Sequence, residues 1–188
     1  LQKELGCAVL VPDLRGHGGS TELVGSGKRL DANKMPKQEI PLASEDLEAC
    51  KRFLKERHNA GELNLEMLTI LACGDTTPLA VTWANADWQW PPYQGVKQGQ
   101  DVKLMILLSP VRKFESLNLL SSIKSPAFSD SSLEGITTVL FWDSDQATSE
   151  KEAKAIEALL VKSFGPIPKG DDSEKWSKIR YALKVVNN

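Results

Sequence analysis

Four short apolar runs punctuate the chain: residues 7–12 (CAVLVP), 67–72 (MLTILA), 102–109 (VKLMILLS) and 136–142 (ITTVLFW). None alternates strictly between apolar and polar positions. Continuous runs of this length are what strands covered on both faces of a parallel sheet require. Between them the apolar spacing lengthens to the helical period. Leu47, Cys50, Phe53 and Leu54 share one face of a predicted helix over 44–58, capped by Ser44, with Glu45 and Asp46 suited to the positive end of its dipole. Ala153, Ile156, Leu159 and Leu160 mark a helix over 149–164, and Trp176, Ile179 and Leu183 another over 173–183. Pro78 opens one more, over 78–86, from a first-turn position where a missing N–H does no harm. Residues 1–5 read as the last turn of a helix closed by Gly6. Residues 21–42 are polar without steady periodicity and read as an exposed excursion, and 87–100 (DWQWPPYQGVKQGQ) read as a loop.

Buried strands alternating with amphipathic helices imply an α/β fold, with a mostly parallel central sheet and helices on both faces in a three-layer sandwich. The segment between 102–109 and 136–142 is only about one helix long, which leaves no room for a lid domain there. With 188 residues, 41% of them hydrophobic, the chain is long enough for one domain with a real core, taken as 1–188, and is not a disordered chain. The chain starts at Leu1 inside what reads as a helix, so a fragment whose first strands lie upstream is expected.

Charge and cysteines narrow the partners. Twenty-five acidic against twenty-three basic side chains leave no electrostatic footprint for nucleic acid. No apolar run approaches the length of a membrane span. Cys7, Cys50 and Cys73 are odd in number and widely spaced, which fits buried thiols better than a disulfide framework or a zinc site. No cluster of His, Cys and acidic residues has metal-ligand spacing. The phosphate-loop and dinucleotide fingerprints are missing too, so no cofactor is expected.

In open α/β sheets, chemistry sits beyond the carboxyl ends of the strands. Those ends are residues 13–20, 72–77, 109–110 and 142–146. The first, following the strand in VLVPDLRGHGGS, carries D-x-R-G-x-G-x-S, and this segment resembles the turn after an early core strand of the α/β-hydrolase superfamily. The resemblance extends along almost the whole chain, through the helix 44–58, the strand-turn-helix over 67–86, the strand ending Ser109-Pro110 and the strand 136–142 followed by Asp145.

The resemblance implies a strained strand-to-helix turn, flanked by small residues, that lifts a serine nucleophile above the sheet. The corresponding segment is ILACGDTTPLA, residues 70–80. With Ala72 and Thr76 as the small flanks, Gly74 stands at the nucleophile position, and Ala80 and Ala84 fall where the following helix packs against the sheet. Glycine tolerates the strained backbone and offers nothing that attacks. Asp75 as a displaced nucleophile requires Cys73 and Thr77 as the small flanks and moves the alanines off register. Cys73 as nucleophile would put Leu71 where a small residue is needed. The amide of Asp75 could still supply one oxyanion donor.

The family order is nucleophile, acid, then histidine. Asp145 best matches the acid, with Asp143 second, although a polar turn after a strand often holds an aspartate for turn hydrogen bonding alone. No histidine follows either one. His17 lies in the early glycine turn and His58 at the end of a helix. A histidine could follow only past Asn188, if 181–186 (YALKVV) were the last strand. Losing one triad member costs roughly 10⁴–10⁶ in turnover. The resemblance therefore implies a non-catalytic binding or interaction module whose ligand is a small molecule or a protein. The alternative is an active ester or amide hydrolase that uses Asp75 and a base outside this sequence. Trp88, Trp90, Pro91, Pro92 and Tyr93 form either a partner platform or a stiffened loop folded onto the domain edge.

Overall fold

Strand pairing sorts the apolar runs into two fates. The computed structural model describes residues 2–143, 146–170 and 173–186, with the backbone alone for 175 and 176. They fall into two compact units that meet in sequence at Leu65 and Glu66.

The second unit is built on a four-stranded sheet of β1 (Leu68–Cys73), β2 (Val102–Leu108), β5 (Thr137–Asp143) and β6 (Tyr181–Val186), in the order β1-β2-β5-β6. All three pairings are parallel. A two-residue pair, β3 (Lys113–Phe114) and β4 (Leu117–Asn118), is antiparallel and separate. The architecture is α/β: a mostly parallel central sheet with helices packed on it. α3 (Thr77–Gln89) packs on β1 and β2, α6 (Ala147–Phe164) packs on β5, and α4 (Leu119–Ser122) and α5 (Pro126–Ser129) fill in against α3, with α5 also touching α6.

The register explains the core. Ala72, Leu107 and Leu140 are in line across the sheet, as are Met105, Thr138 and Tyr181, and all of them are buried. Residues at the alternate positions, Leu104, Ile106, Val139 and Phe141, are half-buried. Side chains alternate between faces with a period of two, so one face is sealed and the other partly open.

Two predicted boundaries shift here. Residues 173–183 do not form one helix: α7 covers only Ser173–Ser177, and the chain then enters β6, pairing Tyr181 with Thr138. Ladder hydrogen bonds to β5, and a buried Tyr181 whose hydroxyl donates to Gly165 O at 2.8 Å, outweigh the weak helical spacing. The loop expected from residue 87 begins later, because α3 runs on to Gln89. Buried Asp87 closes the last turn and accepts from the Asp101 and Val102 amides at 2.9 and 3.3 Å, so its carboxylate terminates one element and starts the next.

In the first unit, α1 (Gln2–Leu5) ends at Gly6 with φ +64°, as predicted, and α2 spans Ser44–Asn59. The run at 7–12 is not a strand. A strand exists only while its amides and carbonyls pair with a neighbour. Nothing in this unit pairs with the run among the described residues, and Val11 is 85% exposed. Ser44 does not cap α2 either. Its φ of −60° and ψ of −30° are helical, because the 3-10 turn Ile40–Ala43 leads directly into the helix. The thiols also differ from expectation: Cys7 and Cys73 are exposed and Cys50 is half-buried. Cys7 belongs to the unpaired run, and Cys73 lies on the open face at the sheet edge.

Candidate functional site

β1, β2 and β5 end side by side. The register pairs Cys73 with Leu108 and Leu108 with Phe141, so Gly74 and Ser109 are the next residues along neighbouring strands. At Gly74 the backbone turns to φ +52°, and a Cβ added there would meet no heavy atom within 4 Å apart from its own chain neighbours. L-residues rarely adopt such a φ. A sharp turn with clear space above it thus stands where the family resemblance places a nucleophile. The sequence supplies no side chain to fill that space.

The turn is tied down from below. Thr76 Oγ1 accepts from the Cys73 amide at 3.2 Å and donates to the Cys73 carbonyl at 2.9 Å. Thr77 is fully buried; its Oγ1 donates to Gly74 O at 2.7 Å and accepts from the Val111 amide at 3.1 Å. One hydroxyl thus couples the turn after β1 to the turn after β2. Ala80 and Ala84 are buried in α3. Asp75 is exposed and sits in the first turn after the strand, where amides have no carbonyl partner within the helix.

Asp143, the second candidate acid, ends β5 and accepts from Gln146 Nε2 at 3.2 Å. Asp145, the first candidate, lies outside the described residues. Both histidines belong to the first unit. His17 is exposed, with Nδ1 3.2 Å from the Arg15 carbonyl, and His58 Nδ1 lies 3.2 Å from the Leu63 carbonyl.

The D-x-R-G-x-G turn is held by its own side chains. Asp13 accepts from the Gly19 amide at 2.9 Å. The Arg15 guanidinium grips Asp46 at 2.8 to 3.2 Å, and the Arg15 amide donates to the same carboxylate at 2.9 Å. A Cβ at Gly16 would fall 2.7 Å from the Ala32 nitrogen, so only glycine fits there. The motif anchors the first turn of α2, a role that Asp46 in its first turn could have signalled.

Sequence reasoning also missed Arg112, whose Nε and Nη2 each donate to Glu152 on α6 at 2.8 Å. Hydrogen bonding from Arg112 holds the Glu152 carboxyl below its ordinary value, and the same contact raises the guanidinium. The predicted aromatic cluster divides. Trp88 folds back, donating from Nε1 to Val102 O at 2.8 Å under the Lys103 ammonium, while Trp90 and Tyr93 stay exposed.

Two clefts lie elsewhere. One of about 840 Å³ sits in the first unit, beside Lys28, Arg29 and Lys34. Another of about 380 Å³ lies at the start of β2, beside Asn85, Trp88 and Lys103. Among the described residues, no three His, Cys, Asp or Glu side chains gather as a metal site would require, and no helix is long and apolar enough to cross a membrane. No family model matches the chain, and no curated protein matches its sequence.

Proposed function

We propose that this chain is a degenerate α/β-hydrolase-like module that binds a small carbonyl compound over the Gly74 turn without turning it over. The observation that carries the reading is Gly74 itself: a left-handed backbone at a strand-to-helix turn, clear space above it, and no nucleophile. The resemblance along the chain supports the family. Because Tyr181–Val186 is a strand, the place where the family order puts a histidine falls past Asn188, so the reading rests on Gly74 and not on the histidines. The φ +52° residue is Gly74 and not Asp75, which favours the register that leaves the nucleophile position empty.

The test is incubation of the protein with phenyl acetate and, separately, with a serine-directed fluorophosphonate. The expected result is neither phenol release above background nor stoichiometric labelling. Turnover abolished by Asp75→Asn would replace this reading with the displaced-nucleophile hydrolase. Labelling of any one serine would also overturn it.

A further inference from the structure

We propose that Ser109 is a ligand-contacting residue of this same rim, donating its hydroxyl to the carbonyl oxygen of a small ester or amide lodged over Gly74; the proposal rests on the binding reading above. Ser109 follows the last residue of β2 and takes φ +43°, a conformation unfavourable for any residue with a Cβ. Among the described residues, the other non-glycine positions with positive φ are Gln94 and Gln100, between α3 and β2, and Glu115, in the turn of the separate β3–β4 pair, so Ser109 is the one at a carboxyl end of the four-stranded sheet. Ser109 is fixed on both sides. Its amide donates to Phe141 O at 2.7 Å, and two residues on the Val111 amide is held by Thr77.

Glycine would hold the same backbone without strain. What serine adds is a hydroxyl, and among the described residues no protein group bonds to it. Ser109 is half-buried and one strand spacing, about 4.8 Å, from the line of β1 that ends in Gly74. An unused donor at a strained position therefore stands next to a space that lacks its side chain. Strained backbone of this kind persists where surrounding bonds enforce it, as the Phe141 carbonyl and Thr77 do here, and it clusters at functional sites.

The experiment titrates the ¹⁵N-labelled full chain with phenyl acetate and follows the amides of Asp75, Ser109 and Val111. Wild type is expected to show saturable shifts at these amides, with half-saturation at millimolar concentration. Ser109→Ala is expected to raise half-saturation about tenfold, equivalent to about 1.4 kcal/mol. Ser109→Gly is expected to weaken binding equally while raising Tm by a few degrees, because the strain is relieved. Equal half-saturation in wild type and Ser109→Ala overturns the assignment of Ser109 but leaves the binding reading intact. The absence of any shift at these amides in wild type overturns the binding reading and the assignment together, whereas a fall in Tm for Ser109→Gly overturns the assignment through its claim that the Ser109 backbone is strained. Phenol release during the titration would instead strike the non-catalytic reading itself.

Discussion

In the second unit, Met105, Leu107, Phe128, Leu140, Ile156 and Leu160 are shielded almost completely from water, whereas Ala43 and Leu65 are the buried apolar residues among those described in the first. The inputs were similar. CAVLVP at 7–12 is as apolar as LTILAC in β1. β1 has β2 beside it and α3 packed on it, and among the described residues the run at 7–12 has neither a ladder partner nor a helix fed directly from its end. Apolar composition supplies the driving force for burial, but a strand needs its backbone hydrogen bonds satisfied before its side chains can be buried. Polar contacts shape the first unit instead, chiefly Arg15 with Asp46 and Asp13 with the Gly19 amide.

Four substitutions and one pH series sharpen or break this contrast. The largest effect is expected from Leu140→Ala in the sealed layer. Emptying a fully buried leucine site should cost about 3 kcal/mol in urea unfolding of the second unit. A cost near zero would mean that the sealed layer is not the source of its stability. Thr77→Val leaves the Gly74 carbonyl and the Val111 amide short of a partner and should cost about 2 kcal/mol. It should also speed amide exchange at Val111 more than at Leu140.

Arg15→Gln removes the grip on Asp46. With Arg15 and Asp46 side chains 13% and 23% exposed, solvent screening limits the expected loss to about 1 kcal/mol. It should appear as faster exchange at Gly19, with the second unit unchanged. If the sheet amides responded equally, the two units would have to unfold together.

The pH series concerns Glu152. Its folded value is lowered by Arg112, so its contribution is complete above the ordinary carboxyl value of 4.5 and is lost as pH falls through the folded value. Glu152→Gln should therefore narrow the stability difference between pH 6 and pH 3. An unchanged acid limb would show that Arg112 and Glu152 are not coupled. The smallest effect belongs to Val11→Ser. At 85% exposure it should change stability by less than about 0.5 kcal/mol, and a large loss would show that the run at 7–12 is buried in solution.

The central strands and two long helices were legible because continuous apolar runs and the 3.6-residue period are local properties. β1, β2, β5, α2 and α6 begin and end within about three residues of their predicted positions. β6 was legible only as an alternative, because YALKVV mixes alternating and helical signals until β5 pairs with it. The candidate site was half legible. A glycine in a strand-to-helix turn could be picked out by spacing, but its positive φ and the clear space above it could not. Ser109 gave no signal, since nothing in LLSPV marks a serine held in the left-handed region. Arg15 and Asp46 are separated by 31 positions, and no local pattern joins them.

By itself the sequence determined the α/β class, the order of the main elements, and a chain in which no histidine follows residue 58. Each of these depends on residue identity or on periodicity within a few turns. Only the tertiary structure decided which apolar runs became strands, which sheet face was sealed, and that Gly74 and Ser109 end on neighbouring strands. These outcomes depend on hydrogen-bond ladders and packing between residues far apart along the chain, where a one-residue slip in register would send every side chain of a strand to the opposite face.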